Sequence, residues 1–514
     1  PVNGPVWIAD FVRDQVSCRK LILTVRIAAN DLNDRQPLVA IIGGGITGLA
    51  AAHRLGELEP RAQVLILESE ARAGGVLGTV RKAGFLIEES ADSFLTALPH
   101  GLGLCRRLGL EGEIIPTDPD RRRAFVVSRG RLEPIPDGLM IMAPTRLWPM
   151  MTTPILGPWD KVRMGLELLV PRAGEADESL ASFARRRFGR GAYERLIQPL
   201  VGGMYTGDPE LLSVRATMPR FQEMERSHGS LIRASLHARV ASGKSGQAGS
   251  GARYGLFVGL RAGMSSLTSA LVRTLPEGSV RCGVEVQRLD RGVDGRWRLA
   301  CSRAGHLSMF EADAVIVATP AGVAGRLLAA VDSALSASLE RISSTSCAIV
   351  SLGYRQDQVA HALDGFGFVV PRIENRNILS GSFSSVKFPG RCPEGTVLLR
   401  AFLGGAFRPD VLDQGDLALS GLAIEELSTL LGIKGEPIVR HVSRWPKVMP
   451  QYELGHLALV QSIESAIAAH SGLALAGNAY HGVGVPQCIQ SGEQAAERIA
   501  RELGARIAER RCAP

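Results

Sequence analysis

The chain has 514 residues, of which 45% are hydrophobic and 21% are charged, and its 59 Lys and Arg residues outnumber its 51 Asp and Glu residues. This composition excludes a globally disordered chain and allows roughly two to four domains with large cores. Glycine is over-represented at 58 residues without a collagen-type repeat, and the 5% of aromatic residues argues against a nucleic-acid binder that works by base stacking.

Cysteine spacing and the lengths of the apolar runs exclude two further classes of protein. The eight cysteines form no Cys-x-x-Cys pair, which indicates reduced thiols in a cytoplasmic protein and predicts no metal site. No apolar run reaches the ~18–20 residues that a membrane-spanning helix needs. Residues 1–36 match no pattern that we can interpret, and we treat them as an N-terminal extension of unassigned role.

The first firm element is a βαβ unit that begins after Pro37. The continuous apolar run over 38–42 is typical of a strand buried on both faces of a parallel sheet, and a second such strand spans 64–67. Between them lie a glycine-rich turn and a helical pattern over 49–58. This order predicts a Rossmann-like α/β domain.

The glycine-rich turn has the Gly-x-Gly-x-x-Gly spacing of a dinucleotide site, at Gly43, Gly45 and Gly48. In this spacing the first glycine makes the turn, the second lets the backbone approach a pyrophosphate, and the third lets the helix pack on the sheet. The helix N-terminus would supply unpaired N–H groups to the phosphates. Glu68 ends the second strand, where a carboxylate accepts hydrogen bonds from the adenosine ribose.

The residues after Glu68 narrow the choice of dinucleotide. Arg72 can neutralise phosphate, and Gly74 and Gly75 allow the chain to pass close to a cofactor. This Glu-x-x-x-Arg-x-Gly-Gly run resembles the extended fingerprint of FAD enzymes of the flavin amine-oxidase superfamily. The resemblance implies FAD held without a covalent bond, since Cys488 matches no covalent attachment pattern.

Downstream of the βαβ unit, helical and β-type patterns alternate. Helices are predicted over 102–108, 161–170, 179–188 (with Asp177-Glu178 as an acidic cap), 193–201 and 487–502. Strands are predicted over 124–127, 280–286, 297–301, 314–318, 366–370, 378–383, 397–402 and 473–476. Residues 137–158, rich in Met and Pro, are predicted to be irregular, and 242–251 to be a flexible loop.

Buried parallel-type strands occur at the start, in the middle and at the end of the chain, so we predict one FAD-binding domain built from three separated stretches. The predicted fold is therefore α/β, a Rossmann-like FAD domain with an inserted α+β substrate domain and a helical, membrane-associating domain. The predicted boundaries are 37–105, 226–340 and 441–514 for the FAD domain, 106–225 for the helical and substrate-pocket insertion, and 341–440 for the β-rich substrate domain.

Over residues 37–502 the chain resembles the protoporphyrinogen oxidase family, the oxygen-dependent flavoenzymes of haem biosynthesis. The most discriminating blocks are Gly-Gly-Met-Tyr-Thr-Gly-Asp-Pro at 202–209 and Gly-Val-Gly-Val-Pro-x-Cys-Ile-x-Ser-Gly at 482–492. Further matching blocks lie at 84–94, 130–136, 194–200, 365–367, 383–385, 444–446 and 450–452. Amine oxidases and polyene desaturases lack the substrate-side blocks, and the intact flavin-side glycines argue against a non-catalytic protein of the same fold.

The resemblance carries site residues onto this chain position by position. It implies that FAD is bound by Gly43, Gly45, Gly48, Glu68, Arg72, Gly74, Gly75, Val76, Val286, Trp445, Val483, Gly484 and Val485. It implies that the substrate is bound by Gly202, Gly203, Val369 and Phe383. Arg123 is a candidate anchor for a substrate carboxylate, the alternative being that the run at 121–123 is a solvated basic patch. No catalytic residue is assigned, because N5 of the flavin would accept the hydride.

The resemblance also implies a reaction, the six-electron oxidation of protoporphyrinogen IX to protoporphyrin IX in three two-electron rounds, with O2 as the acceptor. Coproporphyrinogen III, with four carboxylates instead of two, is the alternative substrate, because the sequence cannot place the cations around the pocket. An amine oxidase or polyene desaturase of the same superfamily is the less favoured alternative.

The positive charge of the chain fits an anionic cofactor and a carboxylate-bearing substrate better than nucleic acid. The apolar stretch over 147–159 and the basic run at 185–187 with Arg190 indicate docking on an anionic lipid surface, at the inner face of the cell membrane. The alternative for the basic run is a solvated helix face. Homodimer formation is left open.

Overall fold

The central sheet contains five parallel strands: β1 (Leu38–Ile42), β2 (Gln63–Glu68), β12 (Val280–Cys282), β16 (Ala314–Val317) and β22 (Leu473–Leu475). Their order is β12–β2–β1–β16–β22, so β1 is central and pairs with both β2 and β16. The computed structural model describes residues 36–174, 176–241 and 256–512. The predicted loop at 242–251, and all but the last residue of the predicted extension over 1–36, lie outside the described residues.

Side chains of β1 alternate between two hydrophobic cores, as a strand buried on both faces requires. Val39 and Ile41 pack in the first core, and Ala40 and Ile42 pack in the second. The first core contains side chains of α1 (Ile46–Leu58), α2 (Pro99–Arg107), α11 (Ser265–Thr274), α17 (Val485–Cys512) and the small sheet of β5 (Phe94–Leu95), β6 (Ile114–Pro116) and β11 (Phe257–Leu260). The second contains side chains of α12 (Ala321–Leu328), α13 (Ser333–Glu340), α16 (His456–Ala468) and the sheet of β13 (Glu285–Arg291), β14 (Trp297–Arg303) and β15 (His306–Ala312). The predicted Rossmann-like α/β class is confirmed.

A seven-stranded sheet forms the β-rich part of the molecule. Its strands are β7 (Phe125–Ser128), β8 (Arg131–Pro134), β17 (Ser344–Arg355), β18 (Gly367–Val369), β19 (Ile378–Phe383), β20 (Thr396–Gly404) and β21 (Val439–Pro450), in the order β21–β17–β20–β19–β18–β7–β8. Two helices, α14 (Ser384–Lys387) and α15 (Asp416–Leu431), lie beside it, and the hairpin of β3 (Thr79–Lys82) and β4 (Phe85–Glu88) packs against it. The β7–β8 hairpin lies in the predicted 106–225 insertion, yet it completes the sheet of residues 341–440 because β7 pairs with β18.

A helical unit lies beside this sheet. It contains α3 (Leu147–Thr152), α4 (Pro158–Gly165), α5 (Leu180–Phe188), α6 (Arg190–Ala192), α7 (Gln198–Tyr205), α8 (Val214–Thr217), α9 (Pro219–His228), α10 (Leu231–Ala241), and the short ribbon of β9 (Leu139–Met140) and β10 (Ala143–Pro144). The ribbon and α3 fall where the sequence predicted irregular structure, so that prediction is wrong. The cap of α5 also differs, because Ser179 accepts the hydrogen bond from the Ser182 N–H at 3.1 Å, whereas Asp177 accepts from the Ser213 hydroxyl.

The basic run at 185–187 is engaged in ion pairs within the helical unit. Arg187 is fully buried and contacts the carboxylate of Glu167, which has no exposed surface either. The other pairs join Arg185 to Glu210, and Arg186 to Glu178 and Glu225. Arg187 and Arg186 are thereby committed to internal carboxylates, which corrects both interpretations for these two residues. Arg185 and Arg190 keep exposed side chains, and for them both interpretations stay predictions.

Candidate active site

The glycine-rich turn lies at the carboxyl end of β1, between the ends of its two neighbours. Gly43 has a φ of +104°, and a Cβ on this residue would lie 2.7 Å from the carbonyl oxygen of Ala318. A Cβ on Gly48 would lie 2.0 Å from the carbonyl oxygen of Gly43, so only glycine lets α1 begin this close to the strand. The local geometry is that of a nucleotide-binding turn.

The second glycine of the motif faces the Gly74–Gly75 segment. Gly45 forms a parallel bridge with Gly74, and the Gly74 N–H donates to the carbonyl oxygen of Gly44 at 2.8 Å. A Cβ on Gly45 would meet only the Cα of Gly75, at 3.9 Å, so the remaining space beside this residue is open. The structure therefore brings the glycine-rich turn and the Gly74–Gly75 segment together, and the sequence predicted that both lie along one cofactor. Val76 directly follows this segment.

Glu68 lies at the end of β2 with its carboxylate held by backbone donors. Its two carboxylate oxygens accept from the N–H groups of Gly44 at 2.7 Å and Glu70 at 2.8 Å. Its carbonyl oxygen accepts from the Val284 N–H at 2.8 Å. Val286 lies two residues further on, in β13, with its side chain in the second core. A backbone contact from Val286 to adenine stays a prediction. The hydrogen bond between the Val284 N–H and Glu68 was not predicted from the sequence.

These groups fit a dinucleotide pyrophosphate. The first turn of α1 carries no acidic residue and no side-chain cap, so the N–H groups of its first turn lack intrahelical partners. Beside Gly43, Thr319 has a buried hydroxyl with no hydrogen-bond partner among the described residues. An unpaired hydroxyl and a helix N-terminus at the same strand ends form the kind of donor set that phosphate oxygens take.

A second helix N-terminus follows the C-terminal glycine-rich loop. Val483 and Gly484 lead directly into α17, which begins at Val485 and carries no acidic residue in its first turn. Tyr452 holds this loop, because its hydroxyl donates to the carbonyl oxygen of Asn478 at 2.6 Å and accepts from the Gly482 N–H at 2.7 Å. The positive end of the α17 dipole is thereby presented at a fixed position.

Trp445 and Arg72 both contact Glu89, through different groups of that residue. The indole N–H of Trp445 donates to the Glu89 carbonyl oxygen at 2.7 Å, and the Glu89 carboxylate pairs with Arg72 at 3.0 Å and with His441 at 3.3 Å. The side chain of Arg72 is half-exposed, so it lies at the rim of this cluster. Direct contact of either residue with the cofactor stays a prediction.

The predicted substrate residues on α7 lie against β18. A Cβ on Gly203 would lie 3.4 Å from Cγ1 of Val369, so the structure brings Gly202, Gly203 and Val369 together. A cavity of about 220 Å³ opens beside them. It is lined by Gln198, Pro199, Gly202, Gly203, Val370, Pro371, Arg372, Asn375, Arg376, Ile378, Leu379, Phe407 and Arg408.

Phe383 and Arg123 do not line this cavity. Side chains alternate along β19, and the alternation turns Phe383 into the core, where it has no exposed surface and its ring centroid lies 6.1 Å from that of Phe368. Arg123 is 53% exposed and pairs with Asp364 at 2.7 Å. Val369 does not line the cavity either, and binding of the substrate by Val369, Phe383 or Arg123 stays a prediction. Arg372, Arg376 and Arg408 are the lining residues that the sequence analysis missed.

The described part of the chain contains no group of three His, Cys, Asp or Glu side chains that could hold a metal ion. Six cysteines of that part are free thiols: Cys105, Cys282, Cys301, Cys347, Cys392 and Cys488. His481, within the C-terminal loop, pairs at the surface with Glu464 at 2.6 Å. None of the helices in the described ranges is both long and apolar enough to cross a bilayer.

The parallel sheet, the glycine-rich turn and the two helix N-termini together define a dinucleotide-binding flavoprotein. Residues 46–500 match the family model described as flavin containing amine oxidoreductase. The chain belongs to this family, and it is an FAD-dependent oxidoreductase.

Relatives and solved structures confirm the resemblance found in the sequence. The chain is 35% identical to a coproporphyrinogen III oxidase of Propionibacterium freudenreichii over 90% of both chains. It is 33% identical to human protoporphyrinogen oxidase over 90% of this chain and 98% of that one. A crystal structure from Exiguobacterium sp. 255-15, provisionally assigned as a protoporphyrinogen oxidase, matches with a TM-score of 0.81 and 30% identity, covering 91% of this chain and 99% of that one.

Proposed function

We propose that this enzyme oxidises a porphyrinogen to the corresponding porphyrin in haem biosynthesis, with O2 as the electron acceptor. The observation that carries the proposal is the meeting of Gly202, Gly203 and Val369 beside a cavity with apolar walls and cationic side chains. The apolar wall and the arginines suit a carboxylate-bearing edge of an apolar macrocycle. The names of the relatives support the same class of substrate, protoporphyrinogen as predicted or coproporphyrinogen as its alternative.

The chain's own residues act by positioning and by excluding water. A bound flavin takes two electrons at a time, so a six-electron oxidation requires three rounds. Val370, Ile378 and Leu379 form an apolar wall against which the macrocycle can be oriented. The N-terminus of α17 stabilises negative charge at its end. None of the lining residues is a carboxylate or a histidine, and the pyrrole nitrogens can stabilise the developing cation without a protein base.

The proposal is tested with the purified holoenzyme. The visible spectrum reports bound flavin, and porphyrin fluorescence in air reports oxidation of protoporphyrinogen IX and of coproporphyrinogen III. We expect a yellow protein that oxidises at least one of the two. A flavin-loaded protein that oxidises neither porphyrinogen, while oxidising an amine, would overturn the substrate class. A protein that remains colourless and inactive after FAD is added would contradict the enzyme assignment as well.

We further propose that this protein lies in the cytoplasm and docks on a membrane surface through the helical unit. Trp148 on α3 is 77% exposed, Trp159 on α4 is 84% exposed, and Leu169 just beyond α4 is 75% exposed. Tryptophan suits the boundary between lipid headgroups and acyl chains, because one end of its ring is apolar and the other is polar. The apolar stretch predicted over 147–159 thus supports docking, whereas Arg186 and Arg187 of the basic run do not.

Docking is measured by co-sedimentation with vesicles of phosphatidylglycerol and phosphatidylcholine. We expect replacement of both Trp148 and Trp159 by Ser to reduce the bound fraction severalfold, because two large apolar side chains no longer insert. Leu417→Ser is the matched control, since Leu417 is 84% exposed on α15, outside the helical unit. Equal binding of the double variant and the control would contradict the proposal, as would absence of binding by the unaltered protein.

A further inference from the structure

The charged side chains of the cavity are all of one sign. Arg372, Arg376 and Arg408 line it, and no Asp or Glu does. Its other walls are the apolar side chains described above, the glycine face of α7, and two neutral amides. Because no carboxylate lines the cavity, its three guanidinium groups give it a positive potential that an anionic ligand would neutralise.

The three arginines differ in how far they are already engaged. Arg376 donates to the buried carboxylate of Glu426 at 2.8 Å, and the same carboxylate accepts from the Asn377 N–H at 2.8 Å. The ion pair between Arg376 and Glu426 fixes the loop between β18 and β19. Because the guanidinium group of Arg376 already makes this structural contact, Arg376 is the least available of the three arginines for a ligand.

Arg372 is the most available cation of the cavity. Its guanidinium carbon lies 4.8 Å from the ring centroid of Phe407, and no carboxylate lies within ion-pair distance of it in the described part of the chain. A guanidinium group stacked on a ring keeps its N–H edge free for bidentate binding of a carboxylate. Its backbone N–H donates to the side chain of Gln198 at 3.0 Å, which ties this residue to the helix that carries Gly202.

Arg408 lies on the Phe407 side of the same cavity and is loosely paired. Its closest carboxylate oxygens, on the exposed side chain of Asp410, are 3.4 Å away. A solvated pair at this distance contributes little and can be exchanged for a ligand carboxylate. Arg372 and Arg408 are therefore the two cations that the cavity offers.

We infer that Arg372 and Arg408 bind two carboxylate groups of the substrate. The assignment rests on the proposed function and deepens it. It moves the carboxylate anchor from Arg123, which lies outside the cavity in its own ion pair, to the loops after β18 and β20. Two available cations can pair with two carboxylates, which both candidate substrates carry.

The test compares Arg372→Gln and Arg408→Gln with the unaltered holoenzyme. We expect the KM for coproporphyrinogen III to rise about tenfold in each variant with kcat nearly unchanged, because a charge-assisted contact that binds substrate and transition state alike is lost. The rise for protoporphyrinogen IX should be at least as large, because it has no further carboxylate to replace the lost contact. Arg372→Lys should restore part of the affinity, since it keeps the charge but loses the bidentate geometry.

Arg355→Gln is the matched control. Arg355 also pairs with the carboxylate two residues on, at 3.0 Å from Asp357, in the same β-rich part of the molecule, but it does not line the cavity. Its KM should stay within twofold of the unaltered enzyme. Unchanged flavin absorbance and melting temperature in all variants would show that they fold.

Direct binding of coproporphyrin III, followed by fluorescence, separates this inference from the proposed function. We expect coproporphyrin III to bind Arg372→Gln about tenfold more weakly than the unaltered protein. Its tetramethyl ester should bind both proteins equally. These two results together support the carboxylate contact even if no porphyrinogen is oxidised. Equal binding of the free acid by Arg372→Gln, Arg408→Gln and the unaltered protein overturns the inference, whichever porphyrinogen is oxidised. Absence of binding by the unaltered protein also overturns it.

Discussion

At the residue scale, the hydroxyl of Tyr452 joins β21 to the C-terminal glycine-rich loop through one donated and one accepted hydrogen bond. The ring is held in turn by His456, which stacks on it with the ring centroids 4.0 Å apart. Burial raises the pKa of Tyr452, so its hydroxyl remains a donor throughout the pH range of ordinary assays. Tyr452 thus holds both ends of the segment from Asn478 to Gly482.

We expect Tyr452→Phe to lower FAD affinity and to cost about 1–3 kcal/mol of stability, because the Asn478 carbonyl and the Gly482 N–H both lose this partner. Flavin release and thermal unfolding measure the two effects. Tyr354→Phe is the matched control, since the Tyr354 hydroxyl is equally buried but has no partner among the described residues. The prediction fails if the two variants release flavin at the same concentration of denaturant.

At the element scale, the start of α1 depends on the absence of a side chain at Gly48. A Cβ there would lie 2.0 Å from a backbone oxygen, which cannot rotate away as a side chain can. A Cβ on Gly56, in the last part of the same helix, would meet no atom within 4 Å. In α1, therefore, position 48 requires glycine, whereas position 56 does not.

Gly48→Ala should cost more than about 3 kcal/mol and abolish flavin retention, since α1 must move away from β1. Gly56→Ala should stabilise the protein by about 0.5–1 kcal/mol, because alanine loses less conformational entropy in a helix. Denaturant titration and flavin content measure both variants. Retention of flavin by Gly48→Ala would show that the turn does not hold the cofactor as inferred.

Two strands were predicted with the bounds that the structure gives them. The strand over 38–42 was recognisable because both of its faces are covered, and the predicted strand over 378–383 has the bounds of β19. The helix α15 was missed, although buried Leu419, Ala423 and Leu427 recur every four residues and could have revealed it. The terminal helix was predicted over 487–502 but spans Val485–Cys512, although Pro486 in its first turn is a recognised signal for a helix start.

At the scale of the whole molecule, a buried ion cluster joins the FAD-binding part to the β-rich part. Asp92 follows β4 and pairs with Lys387 of α14 at 2.7 Å and with Arg400 of β20 at 3.4 Å. Burial alone would raise the pKa of Asp92, but the charges of Lys387 and Arg400 hold it well below its usual range. Glu88 and Arg391 lie in the same cluster, 3.7 Å apart.

The pH dependence of unfolding should report this cluster. Because the pKa of Asp92 is lower in the folded state, its stabilising contribution is complete above the unfolded value of about 3.9 and is lost as the pH falls further. Asp92→Asn should cost about 3–5 kcal/mol near neutral pH, since two buried cations lose their charged partner. The difference between the two unfolding curves should shrink below about pH 4.

Asp364→Asn is the control for this measurement, because Asp364 is half-exposed and pairs with a half-exposed arginine. We expect it to change stability by less than about 1 kcal/mol. A difference between Asp92→Asn and the unaltered protein that stays constant from pH 7 to pH 3 would contradict the assigned role.

The sequence by itself determined the Rossmann-like α/β architecture and located the glycine-rich turn at the end of its first strand. This was possible because the strand, the turn and the helix start lie within a few residues of each other, so their geometry follows from local spacing. The tertiary structure alone decided which charged side chains remain available. Arg123 and its partner Asp364 are 241 residues apart, and Lys387 and Asp92 are 295 apart. A guanidinium group is free or engaged according to partners that only the folded chain brings to it, which is why the anchor moved from Arg123 to Arg372 and Arg408.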